Sequence, residues 1–195
     1  MFVAKPGLVV RVPLAEADDR TLAGRASDGD VRAFEVLIRR HGPLVRGYAA
    51  RLMGSTDEVD DVVQAAFITA WQQLPTLSDP AAVKGWLLRV ANRKALDRIR
   101  ARKYHDDIDD ESRPPLVTPD STSPEALAEH HAVQSALSRA LTELPELQRQ
   151  CWLMKEVAGY SYDEIGTDLG LPTSTVRGLL SRARTSVIAR MEPWR

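Results

Sequence analysis

From His105 to Pro124 the chain reads HDDIDDESRPPLVTPDSTSP, and no packed core can be built from that segment. Carboxylates lead, Pro, Ser and Thr follow, and each proline removes a backbone donor and breaks a helix. It reads as a linker, so the 195 residues divide into two small units with a boundary near Tyr104. Directly before it lies the opposite composition. KGWLLRVANRKALDRIRARK, Lys84 to Lys103, carries eight basic residues against one acid, Asp97.

The whole-chain balance hides this contrast. Lys plus Arg is 26, Asp plus Glu is 27, and a net −1 by itself argues against a nucleic-acid binder. By segment, residues 1–105 carry 17 basic and 12 acidic residues, a net +5. Residues 106–146 carry 2 and 10, a net −8, and residues 147–195 carry 7 and 5, a net +2. Two cationic parts flank an acidic one. The single cysteine, Cys151, excludes an internal disulfide framework and a Cys-rich zinc site, and fits a reducing, cytoplasmic compartment. No apolar run reaches the ~18 residues of a membrane helix. The N-terminal apolar run, broken by Lys5, Pro6 and Arg11, makes a poor signal peptide.

Periodicity points to an all-α fold. Asp28 to Leu52 is expected as a helix that Gly42-Pro43 bends or splits. Thr56 to Gln73 follows, with acids at its positive N-terminal end, and then a loop from Leu74 to Asp79. A third helix starts near Pro80 and runs through the basic block. On it, Arg89, Arg93, Arg100 and Lys103 form one stripe and Lys94, Arg98 and Arg102 another, with Leu88, Ala91, Ala95 and Ile99 between. Beyond the linker, Ser123-Pro124 opens a helix to about Leu141, and Leu144-Pro145 opens another to Ala158-Gly159. Ser161-Tyr162-Asp163-Glu164 is a capping box for a short helix to Leu169. Gly170-Leu171-Pro172 turns the chain into a last helix from Thr173 to about Arg190. Short helix, tight turn, longer helix is the helix-turn-helix layout, with Ile165, Leu169, Val176 and Leu180 spaced as its core. Ser174, Thr175, Arg177, Gly178 and Ser181 are left at the end that enters a major groove in such modules.

Three stretches occur in order: DDVVQAAFITAWQQL (Asp60 to Leu74), WLLRVANRKALDRIR (Trp86 to Arg100) and LPELQRQCWLMKEVAGYSYDEIGTDLGLPTSTVRGLLSRAR (Leu144 to Arg184). Together they resemble bacterial ECF (extracytoplasmic-function) sigma factors, the small two-domain promoter-specificity subunits of RNA polymerase. The resemblance runs from about Ala23 to Arg190. It implies an N-terminal extension over 1–22, a region-two domain over 23–105, an acidic flexible linker over 106–123 and a region-four helix-turn-helix domain over 124–195. It implies docking on core polymerase through Asp60, Asp61, Gln64 and Phe67. It places a flipped-base loop at Leu74 to Lys84. Minus-ten DNA would be read by Lys84, Trp86, Arg89, Asn92, Arg93 and Arg100, and minus-thirty-five DNA by Ser174, Thr175, Arg177, Ser181, Arg182 and Arg184. The implied partners are core RNA polymerase, promoter DNA as duplex and as melted single strand, and an anti-sigma factor. No cofactor or metal is implied, and no enzymatic activity of the chain's own.

Physical chemistry fits that division. Melted DNA calls for cationic tracking of its backbone, and a helix-turn-helix suits base edges in a duplex. A domain of only +2 would bind DNA weakly alone, and tethering to polymerase supplies the effective concentration. The linker acids Asp106, Asp107, Asp109, Asp110 and Glu111 are expected to mimic a nucleic-acid backbone in polymerase's cationic channel. The free protein is expected to be monomeric, with its two domains mobile about the linker and without a C-terminal regulatory domain.

The chain departs from the family pattern in two places. Asn92-Arg93 stands where many members read Arg-Asn, which leaves open which of the two meets the minus-ten strand. Leu179 stands where the last helix usually carries a second basic residue. Trp71 and Trp86 are expected in the core rather than against bases. Cys151 is expected to be buried. His130-His131 are adjacent and lack the i,i+4 spacing of a metal pair. Asp106 to Asp110 resembles a magnesium-binding DDxxD run, but it begins a linker and not a rigid helix over a cavity, so a prenyl-transfer enzyme is the weak alternative. A stand-alone helix-turn-helix regulator would explain Leu144 to Arg190 and nothing before it.

Overall fold

A computed structural model describes residues 13–106 and 126–194, and side chains within those stretches except for 105, 106, 126–131 and 194. All regular structure among the described residues is helical. The expected calls on residues 1–12, on the linker carboxylates Asp107, Asp109, Asp110 and Glu111, and on the Ser123-Pro124 helix start lie outside them, as do the side chains of His130 and His131.

The N-terminal domain has four helices: α1 (Asp19–Ser27), α2 (Val31–Met53), α3 (Val59–Gln73) and α4 (Val83–Asp106). α1 was not foreseen. The Asp18 carboxylate caps it by accepting from the Thr21 amide at 2.7 Å. Its Leu22, Ala23 and Ala26 are buried. Asp19 ties it to α2, accepting from Arg40 at 2.7 Å and pairing with His41 at 2.9 Å. α2 is one continuous helix rather than a split one. Pro43 lies on its exposed side, while Leu37, His41, Val45, Tyr48 and Leu52 line the buried side. Packing on both sides of the proline holds the helix together across the lost hydrogen bond.

Gly54 ends α2 in the left-handed conformation, φ 66°. Four residues later Glu58 adopts φ 62° and starts α3. The expected loop, Leu74 to Asp79, opens with a 3-10 turn, Leu74–Thr76, and a second 3-10 turn, Pro80–Ala82, capped by Asp79, leads into α4. α4 then runs the length of the basic block, packed against α2 and α3.

The C-terminal domain holds α5 (Ala126–Thr142), α6 (Glu146–Trp152), α7 (Tyr162–Leu169) and α8 (Thr173–Met191). α6 runs into a π-helical turn at Leu153–Val157. The capping box at the start of α7 is formed: the Ser161 hydroxyl accepts from the Glu164 amide at 3.2 Å, and the Glu164 carboxylate accepts from the Ser161 amide at 2.7 Å. Gly170, φ 67°, ends α7. Inside it, a Cβ on Gly166 would lie 2.7 Å from the Leu171 carbonyl oxygen. Only glycine lets the turn fold back this closely. Ile165, Val176 and Leu180 are fully buried beneath the motif, as their spacing predicts, and so is Cys151, whose burial pushes its thiol up to about 11.

The domains do not stand apart. One hydrophobic cluster runs through both, from Leu22 and Leu52 to Met154 and Leu180. Polar contacts stitch its edge. Arg51 donates to the Ser138 hydroxyl at 2.7 Å, and the Arg149 guanidinium lies against Gly54 so closely that a Cβ there would sit 2.5 Å from it. The expectation of two independently moving domains overlooked this shared apolar surface, which holds them together in the structure.

Candidate functional site

α3 presents Asp61, Gln64, Ile68 and Gln72 in an exposed stripe at helical spacing. Ile68 is 53% exposed, a large apolar side chain in a polar row. Asp60 is exposed too, but its carboxylate is held by Arg46 at 2.8 Å. Phe67 belongs elsewhere. Its ring is buried and meets Phe34 edge-on, with centroids 6.4 Å apart, while Trp71 tilts over the Phe34 ring at 5.1 Å. The expectation of Phe67 on a docking face is therefore corrected: it turns inward to α2, and Ile68 takes the outward place. Spacing alone did not separate the two, because Phe67 at i+3 and Ile68 at i+4 both neighbour Gln64 on a helix.

α4 separates the basic block by face. Asn92 has no exposed surface, and its amide oxygen accepts from the buried Tyr48 hydroxyl at 2.7 Å. Arg93 beside it is exposed. Of the two candidates kept open, α4 turns Asn92 into α2 and leaves only Arg93 on the surface. Trp86 is half-buried and packs on the core, and Lys84 is exposed. Of the second basic stripe, Arg98 and Arg102 both bond to Glu58, Arg102 at 2.8 Å.

The first stripe meets the C-terminal domain. Arg89 pairs with Glu164 of α7 at 2.5 Å, donates to the Gly159 carbonyl at 3.3 Å and stacks over the Tyr160 ring, 4.5 Å from its centroid. The Arg89 guanidinium and the Ser161 amide hold the Glu164 carboxyl down at about 2, far below the ordinary 4.5. Arg100 donates to the Asp168 carbonyl, and Lys103 pairs with Glu146 at 3.2 Å. Burial raises the Asp168 carboxyl, against the opposing fields of Arg93 and Arg100. Tyr160, buried between the domains, donates to the Arg89 carbonyl at 3.4 Å, and burial pushes its phenol up to about 12.

On α8, Ser174, Thr175, Arg177, Ser181 and Arg182 are exposed along one side. Arg177 lies 5.7 Å over the Tyr162 ring. Arg184 is committed to Glu156 through two hydrogen bonds, at 3.0 and 2.7 Å. Leu179 is buried, so the position that lacks the usual cation serves the core of this chain.

Comparison with known proteins places these surfaces in a family. Residues 37–104 match the model for Sigma-70 region 2 and residues 134–187 the model for Sigma-70, region 4. The ECF RNA polymerase sigma-E factor of Escherichia coli K12 is 30% identical over 182 residues, covering 90% of this chain and 95% of that protein.

The chain belongs to the ECF sigma factors of RNA polymerase.

Other relatives agree with this membership. The RNA polymerase sigma-H factor of Pseudomonas aeruginosa is 28% identical over 187 residues, 92% of this chain and 97% of that one. The solved structure of CnrH in complex with the cytosolic domain of CnrY has 29% identity and a TM-score of 0.51, covering 90% of this chain and 97% of that one. The RpoE factor of Bartonella quintana, solved with the anti-sigma factor NepR, is 20% identical with a TM-score of 0.57 over 82% of this chain and 96% of that one, and shares the fold. A sigma factor is a transcription initiation factor that binds core RNA polymerase and directs it to promoters, and this chain does so as a member. Among the described residues of this sigma factor no helix is long and apolar enough to cross a membrane.

Proposed function

We propose that the α3 stripe Asp61, Gln64 and Ile68 docks on core polymerase. In the same reading Lys84, Arg89, Arg93 and Arg100 of α4 hold melted minus-ten DNA, and Ser174, Thr175, Arg177, Ser181 and Arg182 of α8 read the minus-thirty-five duplex. The observation that carries this is the separation of surfaces on one chain. A polar stripe with an exposed isoleucine, a cationic helix and an exposed helix-turn-helix face suit a protein partner, a single strand and a duplex in turn. The linker composition supports domain limits near 105 and 124, with α1 (Asp19–Ser27) counted in the N-terminal domain. The chain is not itself an enzyme, since polymerase performs the chemistry, and it works in the cytoplasm as a monomer when free.

An anti-sigma factor holds this protein inactive until a signal arrives. Support comes from CnrH, solved with the cytosolic domain of CnrY, and from the Bartonella RpoE, solved with the anti-sigma factor NepR. Co-elution of the full chain with core RNA polymerase, followed by run-off transcription from a promoter library, tests the assignment. Directed transcripts are expected, and their absence with a folded, polymerase-bound chain would overturn it.

A further inference from the structure

We propose that α1 sets the position of the Leu74 to Lys84 loop, and that Arg20 is a positioning residue for the flipped minus-ten base through its contact with Asp79. This rests on the reading of that loop as the seat of the flipped base.

The loop has little hold on its own shape. Leu74 and Val83 near its ends are buried and Leu77 is partly so, while Pro75, Thr76, Ser78, Asp79, Ala81 and Ala82 are exposed. Its two 3-10 turns span three residues each, and the hydrogen-bond geometry of such turns is poorer than that of an α-helix. Its place must therefore be set from outside, and α1 packs against both turns. Arg20 donates from Nη2 to Asp79 Oδ1 at 3.2 Å, and the same oxygen accepts from the Ala81 amide at 3.1 Å. One carboxylate thus caps the turn that leads into α4 and ties that turn to α1.

α1 can serve as a fixed point because the residue before Arg20 is anchored. Asp19 accepts from Arg40 at 2.7 Å and meets His41 at 2.9 Å, and Arg40 also donates to the Ala17 carbonyl at 2.9 Å. Successive helical residues point about 100° apart, so Asp19 grips α2 while Arg20 reaches the loop. A base taken out of the stack is held best by a pocket already in shape, since a loose loop must be ordered at the moment of binding. Arg20 and Asp79 keep 67% and 58% side-chain exposure, so the pair adds little to the stability of the whole chain. Its effect falls on the loop, which makes positioning and folding separable by experiment.

The test uses the full chain in holoenzyme, on a promoter template selected by run-off transcription. Abasic sites are scanned through the minus-ten element, and open-complex formation is timed by permanganate reactivity. In the wild type one abasic position should slow opening, and that position marks the captured base. Arg20→Glu sets two carboxylates against each other. It should slow opening on the intact template by about tenfold, with loss of the pair and gain of a repulsion each counting about threefold. On the template abasic at the marked position it should slow opening by less than about twofold, because both changes disable one contact. Arg20→Lys should open like the wild type, since a single nitrogen of Arg20 meets Asp79 and an ammonium can replace it. Arg32→Glu makes the same charge change in the exposed first turn of α2 and should also open like the wild type. Equal slowing by Arg20→Glu on the intact and abasic templates would overturn the proposal. So would a slow Arg20→Lys, or an Arg32→Glu as slow as Arg20→Glu. Should Arg20→Glu unfold, Arg20→Gln is run on the same templates with about threefold slowing expected on the intact one alone. Equal slowing on both then overturns the proposal. Wild-type opening indifferent to every abasic position would fell the flipped-base reading and the proposal with it, a result seen before any variant is compared.

Discussion

Glu58 grips Arg102 at 2.8 Å from a backbone position with φ 62°, and its other carboxylate oxygen takes Arg98. The sharp turn between α2 and α3 is thereby fastened to the far half of α4. Arg102 is only 16% exposed, so the pair is better shielded than most surface ion pairs. Glu58→Ala is expected to destabilise the chain by about 1–2 kcal/mol, losing both arginine contacts while keeping the left-handed cost. Glu58→Gly should lose about 1 kcal/mol less, because glycine accepts that conformation freely. Urea unfolding midpoints of the two variants check this, and equal midpoints would refute the account of the turn.

Asn92 and Arg93 are neighbours with different employment. Asn92→Ala removes the partner of the buried Tyr48 hydroxyl and should cost about 1–3 kcal/mol. Arg93→Ala should leave stability within about 0.5 kcal/mol and impair promoter opening. Thermal melting and permanganate footprinting of the open complex separate the two outcomes. Impaired opening by a fully stable Asn92→Ala chain would contradict the inward placement.

Ile68→Glu should leave the melting temperature unchanged, since the side chain is 53% exposed. Its affinity for core polymerase should fall by at least about tenfold, because an apolar anchor becomes a charge that must be desolvated. Competition against a labelled sigma factor for core enzyme measures this. Undiminished competition would remove Ile68 from the docking stripe.

A methyl group at Gly166 would press on the Leu171 carbonyl. Gly166→Ala should therefore cost about 1–3 kcal/mol and spread α7 from α8. Binding to minus-thirty-five duplex should weaken with it, read by fluorescence anisotropy of holoenzyme on duplex DNA. Retained stability would show that the turn has room to relax.

Glu164 and Asp168 titrate in opposite senses. Glu164 is lowered to about 2 by Arg89 and the Ser161 amide, so its stabilising contribution is complete above its ordinary 4.5 and is lost as pH falls through about 2. Asp168 is raised by burial, so ionising it opposes the packing as pH rises. Carboxyl carbon chemical shifts followed by NMR should show the two midpoints displaced to opposite sides of their ordinary values. Arg89→Gln should bring Glu164 back up toward 4.5, and a Glu164 midpoint indifferent to that substitution would refute the pairing.

Much of the architecture was legible because its signals are local. The capping box at Ser161, the Gly170 turn and the apolar spacing of Ile165, Val176 and Leu180 each act within one or two turns of chain. α1 escaped notice because its buried face is only Leu22, Ala23 and Ala26 among charged residues. Its helicity is secured by α2 through Arg40 and His41, which lie outside any local window.

By itself, then, the sequence determined the helical class, the two domains, the helix-turn-helix and the family, because periodicity, caps and motif order are written along the chain. Only the tertiary structure decided which residues of each helix face outward. It turned Phe67 and Asn92 in, left Ile68 and Arg93 out, and laid Glu164 against Arg89 across 75 residues of sequence. An ion pair between distant residues leaves no period in either segment. It forms only once the apolar surfaces of both domains have merged and brought the two helices together.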